Sequence, residues 1–251
     1  MTFGMWGTDI YFVANTKDTT LTTTLTFDGC QSIFLVFRQE ARGEGHGLRL
    51  QQPTIADTIP VNDNWTINFP DSKTVSCDTL VPWNESSDLE IKYFSGTARY
   101  ITQVQLKKKE AKATYMIDLG KVKNLAVVKV NGQQCANLWR PPFKADITEA
   151  LRQGENTIEI DVTNLWVNRM IGDEQEEDDV EWSEPFSFGA AKGQPAVGRF
   201  MKRVPEWLSK GQPRPSKNRK AVISFKFYEK DAPLLPSGLL GPVVITLNTC
   251  Q

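Results

Sequence analysis

Histidine is nearly missing from this chain: its 251 residues include one, His46. That scarcity excludes most zinc sites built on His ligands. It also undercuts a Ser–His–Asp arrangement, which needs an imidazole base. Cysteine is scarce as well; Cys30, Cys77, Cys135 and Cys250 are far apart and form no C-x-x-C pair. A chain of this length builds a core without bridges, so buried or free thiols are expected, and spacing alone sets no pairing. Neither charge is in excess, with 29 Lys+Arg against 30 Asp+Glu and a formal net charge of −1. A general nucleic-acid binder would show a basic surplus, so nucleic acid is not expected as a partner. No apolar run approaches the ~20 residues of a membrane helix. No basic stretch followed by an apolar one opens the chain, so no signal peptide is visible. Helical pattern is thin, and the strand–helix alternation of an α/β barrel, about 250 residues of it, does not occur.

What is present is a series of short strands. Residues 9–14, 21–27, 32–38 and 65–69 are rich in β-branched and aromatic residues, with Asp28-Gly29, Gly43, Gly45, Gly47 and Asn62-Asp63-Asn64 between them. This reads as a small antiparallel set ending near residue 74. A second series follows at 97–106, 114–119, 125–130, 157–162, 222–228 and 243–247. Within 157–162 the alternation is strict, Ile158, Ile160 and Val162 facing one way and Glu159 and Asp161 the other. Asn131-Gly132 supplies a tight hairpin turn. Pro141-Pro142 is expected to make an extended, polyproline-like crossing between sheets. Single helical turns are expected at 146–151 and 205–210. Many short strands with Gly/Pro punctuation point to an all-β sandwich over about 75–251.

Two stretches depart from this pattern. Residues 173–184 hold eight acids in twelve positions, and 190–219 is long, Gly/Pro-rich and irregular. Loops of that length on a compact domain tend to be functional or mobile. The whole of about 172–220 reads as an insertion into the sandwich.

A family resemblance emerges from particular residues. Ile91-Lys92-Tyr93-Phe94-Ser95-Gly96-Thr97-Ala98-Arg99-Tyr100 opens a strand, Asp118-Leu119-Gly120-Lys121-Val122 leads to Val127-Val128-Lys129-Val130-Asn131-Gly132, and Trp139-Arg140-Pro141-Pro142-Phe143 precedes Gly154-Glu155-Asn156-Thr157-Ile158. This series resembles the jelly-roll sugar-binding domain of family 2 glycoside hydrolases, a galactose-binding-domain-like fold. The runs Thr163-Asn164-Leu165-Trp166-Val167-Asn168-Arg169-Met170-Ile171-Gly172-Asp173 and Leu234-Leu235-Pro236-Ser237-Gly238-Leu239-Leu240-Gly241-Pro242 are similar to the C-terminal region of bacterial α-L-rhamnosidases. The resemblance implies a jelly-roll β-sandwich preceded by a small antiparallel β subdomain. It implies a secreted or periplasmic setting, a larger enzyme whose catalytic domain is a partner, and a plant-type oligosaccharide as ligand. Such enzymes carry their catalytic carboxylates on a barrel outside this region, so no catalytic residue is carried over. The start of the chain almost at a strand fits a piece of such an enzyme.

The candidate contacts are aromatic and polar. Sugar sites use Trp faces against C–H faces, with amides and Arg fixing hydroxyls. Trp139 with Arg140, and Trp166 with Asn164, Asn168 and Arg169, have those neighbours. The competing reading buries both tryptophans in an inter-sheet core and uses Arg169 to tie the acidic run to the sandwich. Asp173 and Glu174 head that run and are candidate Ca²⁺ ligands, an ion that wants about six to eight oxygens. A solvated loop is the alternative, since the order of an EF-hand is absent. Lys107-Lys108-Lys109 reads as an exposed strand end, and His46 as part of a glycine-rich loop. Three functions stay open: an accessory carbohydrate-binding-like module of a glycoside hydrolase, an autonomous carbohydrate-binding protein, and a structural β domain that docks a protein. The first is the expectation.

Overall fold

The computed structural model describes residues 54–61, 64–70, 73–191 and 194–249. The strands expected at 9–14, 21–27 and 32–38 lie outside the described residues, as do Cys30, His46 and Cys250. In chain order the strands are β1 (Thr54–Pro60), β2 (Trp65–Asn68), β3 (Thr74–Cys77), β4 (Thr97–Leu106), β5 (Ala113–Asp118), β6 (Lys121–Lys123), β7 (Leu125–Val130), β8 (Gln133–Leu138), β9 (Lys144–Asp146), β10 (Gly154–Thr163), β11 (Phe186–Ala191), β12 (Gln194–Phe200), β13 (Phe225–Lys226), β14 (Gly238–Gly241) and β15 (Val244–Thr249). Among the described residues three short α-helices accompany them, α1 (Leu89–Lys92), α2 (Val167–Asp173) and α3 (Glu206–Ser209), with a 3-10 turn at Trp83–Glu85.

Two sheets form an all-β sandwich. One has the order β1-β15-β5-β9 and the other β3-β2-β4-β10-β7-β8. Their strand pairs are antiparallel. β1 and β2, which precede residue 75, are hydrogen-bonded to β15 and β4, one in each sheet. The chain crosses between sheets repeatedly: from β4 to β5, from β8 to β9, and back to β10. Alternation explains the core. β4 buries Ala98, Tyr100, Thr102, Val104 and Leu106, β10 buries Ile158, Ile160 and Val162, and β5 buries Ala113, Tyr115 and Ile117. A strand's side-chain period of two sends those residues to one face. The two inward faces meet in one cluster. Each fully buried Ile or Val there contributes about 1.5–3 kcal/mol.

One polar node is sealed in this core. The Tyr100 hydroxyl accepts from Trp83 Nε1 at 2.6 Å and from the Leu239 backbone N–H at 3.1 Å. Burial pushes the phenol well above its ordinary range, and the two donors only partly offset that. Gly238 is fixed by this node. Its φ is +100°, and a Cβ there would lie 2.7 Å from Trp83 Nε1 and 2.8 Å from the Tyr100 hydroxyl.

On the outer face of the six-stranded sheet the same alternation exposes a charged ladder. Arg99 holds Asp161 through two N–H donors at 2.6 and 3.1 Å, and Lys129 reaches the same carboxylate at 3.0 Å. Burial pushes Asp161 up, but the Arg99 and Lys129 hydrogen bonds outweigh it and hold the carboxyl below its usual range.

The structure amends several local expectations. The chain bends at 140–142 between β8 and β9 instead of crossing as an extended polyproline segment, and the Pro141–Pro142 peptide is cis. The single helical turn expected at 146–151 is present, closed by Leu151 N–H to Ile147 C=O at 2.9 Å. Lys109 closes it, donating to the Thr148 and Leu151 carbonyls at 2.7 Å each, so this lysine is not a free strand end. The stretch 190–219 is not wholly irregular: β12 lies in it, inside a three-stranded sheet of order β11-β12-β13. Pro195 and Gly198 hid that strand from the alternation pattern, and the neighbouring rings of Phe186, Phe200 and Phe225 support the sheet instead. The alternating run 222–228 pairs only at Phe225–Lys226. The Asn131-Gly132 hairpin stands as read, with φ of 52° and 81° joining β7 to β8.

Two predictions follow from the core and its outer ladder. Tyr100→Phe orphans two buried donors, each worth about 1–3 kcal/mol. We expect a loss of about 2–4 kcal/mol in urea unfolding, and a loss below ~0.5 kcal/mol would refute the role of the node. The Asp161 carboxyl has a lower pKa folded than unfolded, so its stabilisation is present above about 3.9 and fades as pH falls through the folded value. Asp161→Asn should flatten the acid side of a stability–pH curve; an unchanged acid limb would contradict the ladder.

Candidate functional site

The candidate residues gather at one end of the six-stranded sheet. Register places them there. Leu125 opens β7 opposite Thr163, the last residue of β10, and Ala126 faces Leu138, the last residue of β8. Trp139 follows Leu138 directly, and Asn164 to Trp166 follow Thr163. Leu125, Trp139, Leu165 and Trp166 are exposed, Trp139 at 71% and Trp166 at 56% of their surface. The reading that buried both tryptophans in an inter-sheet core therefore does not hold. Leu138 and Ile171 carry the local burial instead, while Trp139 lies beyond the end of its strand. The Arg140 guanidinium sits 5.6 Å from the Trp139 ring centroid, a cation–π contact between neighbours in the chain.

The polar candidates behave differently. Asn164 is buried; its amide donates to the Phe94 carbonyl at 2.8 Å and accepts from the Gly96 N–H at 3.0 Å. Asn168 is buried and clamps Leu235, donating to its carbonyl at 2.7 Å and accepting from its N–H at 2.8 Å. These two amides spend their hydrogen-bonding capacity on backbone, which fixes three chain segments against each other. They are positioning residues, and the exposed surface is left to Trp139 and Trp166, with half-buried Arg140 beside the first.

The segment after Thr163 is helical, α2 spanning Val167–Asp173. The signal was an i,i+4 pair: Arg169 Nε donates to Asp173 Oδ1 at 2.8 Å along the helix. Arg169 also lies 5.9 Å from the Tyr93 ring. Gly172 permits that closeness, because a Cβ there would fall 2.5 Å from Tyr93.

Asp173 and Glu174 are buried rather than solvated. Asp173 accepts from the backbone N–H groups of Lys220 and Ala221 at 2.7–3.0 Å as well as from Arg169. Glu174 pairs with Arg219 at 3.3 Å and with Lys226. Arg219 also reaches Asp178 at 2.8 Å, and Arg214 grips Asp179. The acids proposed for Ca²⁺ thus face cations and amide donors. Among the described residues no group of three or more His, Cys, Asp or Glu is arranged to hold a metal. The sequence reading missed the cations, because Arg214, Arg219 and Lys226 lie about 40 positions further along the chain. Cys77 and Cys135 are free thiols, and burial raises both above their ordinary range. No helix among the described residues is long and apolar enough to cross a membrane.

The buried acids should matter for stability and the exposed indoles should not. Asp173→Ala leaves Arg169 and two backbone N–H groups without their acceptor, a loss of about 3–5 kcal/mol. Trp166→Ala removes an exposed side chain and should cost about 0.5 kcal/mol or less. Chemical denaturation of both variants checks this; equal losses would show that Trp166 belongs to the core.

No family model matches the chain. It is 37% identical over 200 residues to a protein of Formosa agariphila named as a β-glucuronidase, a match covering 77% of this chain and 16% of that protein. Its fold is similar to the rhamnosidase of Novosphingobium sp. PP1Y, with a TM-score of 0.65 and 30% identity over 89% of this chain and 18% of the other. A β-D-glucuronidase of Dictyoglomus thermophilum aligns more loosely, with a TM-score of 0.45 and 16% identity over 77% of this chain and 28% of the other. The chain therefore spans less than a fifth of the first two proteins. It is related in sequence and in fold to a segment of glycoside hydrolases.

Proposed function

We propose that this chain is a non-catalytic accessory module of a larger glycoside hydrolase, a galactose-binding-domain-like jelly roll that contacts a sugar chain near the enzyme's catalytic domain. The carrying observation is the exposure of Trp139 at 71% and Trp166 at 56% at the same end of one sheet. An exposed indole costs solvation unless something covers it, and the C–H face of a sugar ring is a fitting cover. Arg140 beside Trp139 adds donors suited to ring hydroxyls. The similarity to a rhamnosidase and to a protein named as a β-glucuronidase supports carbohydrate as the ligand class. In this reading no carboxylate does chemistry. Asp173 and Glu174 are engaged by Arg169, Arg219 and Lys226, which suits a structural role. The setting proposed with it is secreted or periplasmic, where polymeric sugars are met.

A second reading has one observation in its favour. Leu125 and Leu165 are also exposed beside the tryptophans, and apolar side chains grouped this way suit a protein contact as well as a sugar. Here the same end of the sheet docks the catalytic domain.

Titration of indole fluorescence with rhamnose- and uronate-containing oligosaccharides separates the two. Trp139→Ala and Trp166→Ala should each weaken binding about tenfold, the ~1.4 kcal/mol of a stacked ring, with Tm unchanged. Saturable binding that neither substitution alters, or no binding to any glycan of an array, would leave the docking reading in its place.

A further inference from the structure

We infer that the cleft between the β6–β7 junction, the start of α2 and the lead-in to β14 binds the carboxylate edge of an acidic sugar. This rests on the sugar-contacting reading above and extends it to a site that the tryptophans do not line. The cavity has a volume of about 120 Å³. That is about four times the ~30 Å³ share of one liquid water, room for one edge of a ring and not for an oligosaccharide.

Its walls divide by chemistry. Leu165, Val167, Leu235 and Pro236 form the apolar side. Lys123, Asn124 and Ser237 form the polar side. Asn164 and Asn168 also border the cleft, but their amides are committed to Phe94, Gly96 and Leu235 and serve to hold the walls. The donors left over are what define the ligand. Lys123 makes no ion pair with any described residue, in contrast to Lys129, Lys144 and Lys226, which meet Asp161, Asp118 and Glu174. The Asn124 side chain likewise has no hydrogen-bond partner among the described residues, while its backbone N–H is fixed to the Thr163 carbonyl at 2.8 Å. Ser237 is buried, with its hydroxyl 3.4 Å from Asn168 Nδ2.

Lys123 and Asn124, consecutive in the chain and both lining this cleft, have no side-chain partner among the described residues and offer an ammonium and an amide to a carboxylate; charge-assisted bonds of this kind are the strong ones. The apolar residues lining the same cleft suit the C–H face of the ring that bears it. Lys123 is exposed, and a neutral sugar offers its ammonium no counter-charge in place of water. A phosphate, with more acceptor oxygens, would meet too few donors here.

Amide chemical shifts of the isotope-labelled chain, followed during titration with D-glucuronate or D-galacturonate, test the inference. D-glucose, D-galactose, acetate and inorganic phosphate serve as comparators. We expect the amides of Asn124, Leu165 and Ser237 to move with the uronates, which bind about tenfold tighter than their neutral counterparts. Lys123→Met should abolish that preference with Tm unchanged, and Asn124→Ala should weaken uronate binding alone. Trp139→Ala should leave the cleft shifts as they are. The inference fails if the cleft amides stay still, if Lys123→Met keeps the preference, or if acetate or phosphate binds as well as a uronate. A silent cleft together with Trp-dependent oligosaccharide binding would overturn this site and leave the accessory role standing. Uronate shifts with inert tryptophans would overturn the tryptophan reading alone.

Discussion

The pairing of β4 with β10 is the constraint on which the sandwich depends. It runs in unbroken register from Thr97↔Thr163 to Leu106↔Gly154. A slip of one residue would turn every inward Ile and Val of β10 to solvent and bring Glu159 and Asp161 into the core. The register is therefore held from both faces. Inside, Tyr100, Ile158 and Ile160 are fully buried. Outside, Arg99, Asp161 and Lys129 link three neighbouring strands by ion pairs. At the far end Asn156, also fully buried, accepts from Asn131 Nδ2 at 2.9 Å and from the Arg152 N–H at 2.8 Å, tying the β7–β8 hairpin to the start of β10.

That spine ends where the candidate site begins. Beyond Thr163 the ladder stops, and the backbone groups of the departing chain need other partners. Asn164 supplies them to Phe94 and Gly96, and Asn168 supplies them to Leu235. The two amides do the work that a sheet ladder does elsewhere. Because they immobilise the chain, Leu165 and Trp166 are presented from a fixed frame, which lowers the ordering cost of any contact they make.

Charge links the end of α2 to the stretch that carries the β11-β12-β13 sheet. Asp173 and Glu174 at the end of α2 meet Arg169, Arg219, Lys226 and two backbone N–H groups. A buried ion pair gains little over an apolar contact of the same shape, yet removal of one partner is costly. Such a cluster fixes one geometry more than it adds stability. Here it sets the β11-β12-β13 sheet against the sandwich while the exposed Phe200 and Phe227 keep an apolar surface in solvent.

The sequence by itself determined the class of fold. Period-two alternation wrote β4, β5, β7 and β10 into the chain because burial on one face requires it, and Asn131-Gly132 marked a turn because few other residues adopt positive φ. The strands without alternation, Gln133–Leu138 and Thr54–Pro60, escaped notice because an edge position or a half-exposed face asks little of side chains. Helix α2 escaped because its apolar stripe is short and its stabilising contacts, to Tyr93, Leu235 and Ala221, lie far away in sequence. The candidate residues were legible by type and not by role. Trp139 and Trp166 were open to a sugar contact or a core role and are exposed, Arg169 was open to a ligand contact or an anchor for the acidic run and is bound to Asp173, and Asn168, a candidate contact, is buried against Leu235. Lys123 and Asn124 carried no signal at all. Which side chains surround a lysine or an amide depends on segments far apart in the chain, as Thr163 and Ser237 are from Lys123 and Asn124, and only the tertiary fold brings them together.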